Sequence, residues 1–134
     1  MSAANPHIKN ISRAPYELGY LLKKMPVGFS RHEPLTPEGR LLADAAQHHA
    51  DNASNTLLHG IEAIGQILMT AALNEEGKIS STHLVHLGGL IEHLAVEAQV
   101  MQEIYYDMRE ALAADDLRAN DKTSPTSGKK GGAA

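Results

Sequence analysis

Eight histidines are spread through this 134-residue chain. Six of them, His48, His49, His59, His83, His86 and His93, fall in its middle. Imidazole is the side chain best suited to hold a transition metal or to gain a proton near neutral pH, and carboxylates complete many metal sites. His86, His93 and Glu97 are spaced seven and four apart, so a helix would carry them on one face. His59 and Glu62, three apart, would share a face on a neighbouring helix. A metal centre built from His59, Glu62, His86, His93 and Glu97 is therefore one chemistry that these residues offer.

The spacing argues against it. His59-x-x-Glu62 is the reverse of the Glu-x-x-His spacing used by carboxylate-bridged di-iron bundles, which also need inward-pointing ligands from four helices. Counted against the apolar heptad described below, His86 and His93 fall at outer positions, as do His59 and Glu62, and only Glu97 flanks the seam. Solvated or partner-facing histidines are the expected state, with no metal and no cofactor.

Other chemistry finds less support. Ser80, Ser81 and Thr82 precede His83, but helix capping explains hydroxyls at a helix start better than a nucleophile–base pair does. Phosphate-binding glycine loops, dinucleotide fingerprints and zinc spacings are absent from the sequence. With no Cys there is neither a disulfide framework nor a thiolate nucleophile. The expectation is a protein that is not an enzyme. A second reading is a small anionic ligand held between helices by Lys23, Lys24 and Arg40.

The elements that must position these residues are helical. The chain is 43% hydrophobic but only 4% aromatic, so any core is built from Leu, Ile, Ala and Met, as in helical bundles. Leu84, Leu87, Ile91, Leu94, Ala98, Met101, Tyr105, Met108 and Leu112 alternate by three and four without a break. Leu57, Ile61, Ile64, Leu68 and Ala71 share that spacing, and Ala43, Ala46, Ala50 and Ala53 continue it upstream. The pattern predicts an all-α fold, a long antiparallel hairpin of helices over about 37–74 and 80–114. Thr36 caps the first helix ahead of Pro37 and Glu38, Gly77 stops it, and Ser80 caps the second, with Ile79 and Leu84 at staple spacing. If the turn centres on Gly77, the alanines at 43 to 53 face Met101, Tyr105, Met108 and Leu112, small against large. The weak helix formers of DNASNT, 51–56, mark a place for a bend.

Residues 1–12 read as a flexible arm, and 13–35 as a short helix ended by Pro26 and followed by an extended connection. Tyr16, Leu18, Leu21 and Leu22 form the apolar side of that helix. The hairpin domain spans 36–116, and 117–134 reads as a disordered Gly/Ser/Lys tail. The net charge of -4 is uneven. Residues 41–121 hold three Lys/Arg against thirteen Asp/Glu, while both ends are mildly basic. An acidic body disfavours duplex nucleic acid. No apolar run reaches membrane-span length and no secretory signal is visible, so a cytoplasmic protein without membrane contact is expected.

A two-helix hairpin buries little alone and needs a third layer, from the N-terminal segment or from another chain. Leu58 and Ile67 lie beside the seam on the first helix. Leu90, Val100 and Ile104 do so on the second, with Val96 further round and Tyr106 an outward aromatic of the same surface. Gly60, Gly88 and Gly89, with Gly65, sit mid-helix, where each costs about 1 kcal/mol relative to Ala. Such glycines suit a backbone approached closely by another element. The expected function is a non-enzymatic regulatory or interaction protein that self-associates, a dimer first, to complete a bundle, and that binds a protein partner through this surface. Its layout is similar in a general way to small helical accessory proteins of bacteria and their phages.

Overall fold

The computed structural model describes residues 4–10, 14–26, 32–74 and 79–123. Three helices follow in order: α1 (Ala14–Lys24), α2 (Pro37–Ala72) and α3 (Ser81–Thr123). No strand occurs among the described residues. The two long helices pack along each other, and α1 packs on α2.

The helix starts follow from their sequences. The Thr36 hydroxyl accepts the Gly39 N–H at 3.0 Å, with Pro37 in the first turn. A Cβ at Gly39 would sit 3.0 Å from that hydroxyl oxygen, so glycine keeps the cap compact. At α3 the Ser80 hydroxyl accepts from the His83 backbone N–H at 3.3 Å. Helix α2 ends at Ala72, with Leu73 as its cap. Gly77 lies outside the described residues, as do 27–31 of the connection and everything beyond Thr123, where most of the expected tail falls.

Two features differ from expectation. Helix α2 runs unbroken through 51–56. Ala53 and Ser54 are buried there and the Thr56 hydroxyl donates to the Asn52 carbonyl at 2.8 Å, so packing and a local bond outweigh poor propensity. Helix α3 continues nine residues past Ala114. Asp115 accepts the Leu35 N–H and an Arg40 N–H, both at 3.0 Å, while Arg40 also reaches Asp116. Arg118 donates to the Glu33 carbonyl at 3.0 Å. These long-range bonds hold the extra turns against the chain entering α2.

Among the described residues the core sits at the end away from the hairpin turn. Ala43, Ala46, Ala50 and Ala53 of α2 are buried with Met101 and Met108 of α3, and Tyr105 and Leu112 pack against the same cluster. Small side chains let the two backbones approach while Met and Tyr fill between them. Leu18 and Leu21 of α1 join this cluster, each 2% exposed. Leu22 is exposed instead, and the Tyr16 side chain lies outside the described residues. Thus α1 supplies a third layer, but an 11-residue helix is only about 16 Å long. The hairpin is much longer.

Candidate functional site

The change along α2 locates the surface of interest. Leu42, Ala45 and His49 lie to one side of the α3 seam, yet are all but inaccessible; α1 packs on α2, and its Leu18 and Leu21 share one buried cluster with Leu42 and Ala45. The same three-and-four stepping continues through Asn52, Thr56, Gly60, Ala63, Ile67 and Thr70. Burial is lost on the way, and Ile67 is 67% exposed. Ala63, Gln66, Ile67, Thr70, Ala71 and Asn74 line an open groove of ≈ 570 Å³. Beyond the reach of α1, the described residues of the hairpin are two helices thick.

The apolar positions named from the sequence divide between regions. Leu58, Ile67, Leu90, Val96, Val100 and Tyr106 are exposed. Ile104 is half-buried against the core cluster, so it serves the fold of the α1 end. Met69, Leu73 and Val85 are further exposed apolar side chains of the turn end, at 71%, 85% and 72%. Gly60, Gly65, Gly88 and Gly89 face open space: a Cβ at any of them would meet nothing within 4 Å. Among the described residues no element makes the close approach that the glycines suggest.

The histidines do not converge. Among the described residues no group of three or more His, Asp or Glu stands close enough to share a metal ion. His93, exposed, and Glu97, half-buried, are 4.0 Å apart, while Glu62, His59 and His86 form no set with them. His48 bonds the Asp44 carbonyl at 2.8 Å, and His7 bonds Glu38 at 2.8 Å. His83 Nδ1 lies 2.9 Å from the Ser80 hydroxyl, a contact within one helical turn at the cap.

The cations named for an anionic ligand are dispersed or engaged. Arg40 is held by Asp115 and Asp116. Burial by itself would lower the pKa of its guanidinium, but hydrogen bonds to Asp116 and Asp115 outweigh it and raise the value. The Leu35 N–H, with Arg40 added, holds the Asp115 carboxyl below its ordinary value against an opposing desolvation. Lys24 stands 4.3 Å over the Tyr20 ring.

Sequence reasoning missed two residues of consequence. His49 is fully buried, and its place in the Leu42–Ala45–His49 stripe was the available signal. Asp115 falls just past the helix end expected near Ala114, and nothing local marks its bond to Leu35, 80 residues away. No helix among the described residues is long and apolar enough to cross a membrane. Neither a protein-family model, nor a curated protein, nor a solved structure matches the chain.

Proposed function

We propose that this chain is a non-enzymatic helical interaction protein, which self-associates through the turn end of its hairpin and binds a protein partner. The observation carrying this reading is the loss of burial along one stripe of α2, from Leu42 at 2% to Ile67 at 67% exposure. Among the described residues two helices with apolar side chains on both sides stand without a third layer there, and contiguous exposed apolar surface marks interaction sites. Dispersed histidines and an engaged Arg40 supply no competing chemistry. An accessory or regulatory role of bacterial or phage type, in the cytoplasm, fits a small acidic chain of this kind.

The absolute mass in solution, by light scattering across a gel-filtration peak, tests the reading. A mass of two chains is expected. Leu90→Asp should restore a single chain with helical content unchanged, whereas a single-chain mass for the unsubstituted protein contradicts self-association. Ile104 is unsuited to this test, because a charge there would strike the core cluster.

A further inference from the structure

The uncovered stripe has a definite side. On α2 it is the side that α1 occupies nearer the start, and it carries Gly60, Ala63 and Ile67. On α3 the same side is found by stepping back in threes and fours from Asp115 and Ala111. Asp115 is bonded by Leu35 of the chain entering α2, and Ala111 is 1% exposed. Those steps pass Ile104 and reach Glu97, His93, Leu90 and His86. Among the described residues, one layer of two helices therefore has α1 lying on half of its upper face and no other element on the other half.

From this we infer that a second copy of the chain fills the empty half, with the two hairpins antiparallel and related by a two-fold axis. The inference rests on the self-association reading above and adds its face and its direction. The described segment ahead of α1 does not cover the gap: Asn5 is tied to the Leu41 carbonyl and to Asp44. These lie about 40 Å along α2 from Ile67.

Size and charge fit a second copy. The bare half is about 25–30 Å long and ~20 Å wide. That gives roughly 500–600 Å² in projection, close to the ~800 Å² of accessible surface each partner gives a standard interface. Among the described residues of this face Glu97 is the only carboxylate, and His93 stands 4.0 Å from it. Helical phase puts Glu62, Glu92 and Glu103 on other sides. Two copies of an acidic protein can thus meet here without opposing rows of carboxylates.

Helix α1 selects the direction. Parallel hairpins face to face would set α1 against α1 and hold the bare halves about 27–30 Å apart, three helix spacings. Antiparallel hairpins put each bare half in the layer occupied by the partner's α1, end to end with it. The central section becomes a four-helix bundle, α2 lying along α2 and α3 along α3, and α1 sets the register at each end. Gly60 then admits a close backbone, and its helix cost of about 1 kcal/mol has a structural reason.

The chain has no Cys, so single cysteines report this arrangement directly. Ala63→Cys lies near the two-fold axis and Met69→Cys on the opposite side of α2. With a short bis-maleimide, Ala63→Cys should give a covalent dimer in high yield and Met69→Cys should not. Ile67→Asp should weaken association tenfold or more, while Leu58→Asp, on the far face, leaves it intact. A two-chain mass with cross-linking at Met69 instead of Ala63 overturns this face while leaving self-association standing. A single-chain mass for the unsubstituted protein overturns both.

Discussion

Two halves of one helix, α2, carry the same stripe and meet opposite fates. Near its start Leu42, Ala45 and His49 are buried, Leu42 and Ala45 in one cluster with Leu18 and Leu21 of α1, while nearer the turn Ile67 stands two-thirds exposed. Residue type does not explain the difference, because a histidine is inside and an isoleucine is outside. What differs is the number of layers. Where α1 lies on α2, even an imidazole is excluded from water; where α1 is absent, apolar side chains have only the neighbouring helix. Periodicity shows which side of a helix expects company, but the length of the covering element decides how much of that side receives it.

The largest expected effect comes from removing packing in the covered half. Leu18→Ala, which empties a site 2% exposed, should cost about 2–4 kcal/mol in urea unfolding. Ile67→Ala, measured at a concentration dilute enough to separate chains, should change stability by less than about 0.5 kcal/mol. Equal losses at the two sites would break the distinction between the halves.

The latch at the covered end should contribute less. Asp115 is bonded to Leu35 and Arg40, and Asp115→Asn should cost about 1 kcal/mol at neutral pH. The Asp115 carboxyl is held below its ordinary value. Its contribution is therefore present above the unfolded-state pKa and disappears as pH falls through the lower folded value. Thermal melts of both proteins should differ at pH 7 and converge in acid below pH 4. A gap that stays constant into acid would mean the carboxylate charge is not what the latch uses.

Smaller and opposite in sign is the effect of filling a glycine. A Cβ at Gly65 meets open space, so Gly65→Ala should raise helix stability by about 0.5–1 kcal/mol. A melting temperature that falls would show that something approaches that backbone in solution.

Much of the architecture was legible because it is written locally. Thr36 with Pro37, Ser80 before α3, and the unbroken heptad from Leu84 to Leu112 each depend on residues within a few turns. The small-against-large seam was also readable, since a short turn leaves one register for two antiparallel helices. The extension of α3 to Thr123 and the burial of His49 were not readable. The extension depends on partners far away in sequence, Leu35 and Arg40, and the burial of His49 on packing that no local pattern records. For the surface, helical phase marked Leu58, Ile67 and Leu90 as outward, but assigned Ile104 to the same group. Only the reach of the core cluster separates it from them.

The central claim is that the turn end of the hairpin is completed by another chain, and the α1 end by its own. Amide hydrogen exchange followed by mass spectrometry, at two protein concentrations a hundredfold apart, tests it most directly. Segments from 57–72 and 81–100 should gain protection as concentration rises, while 37–54 and 101–115 keep the same protection throughout. Protection at 57–72 and 81–100 that is already high and indifferent to concentration would contradict the account.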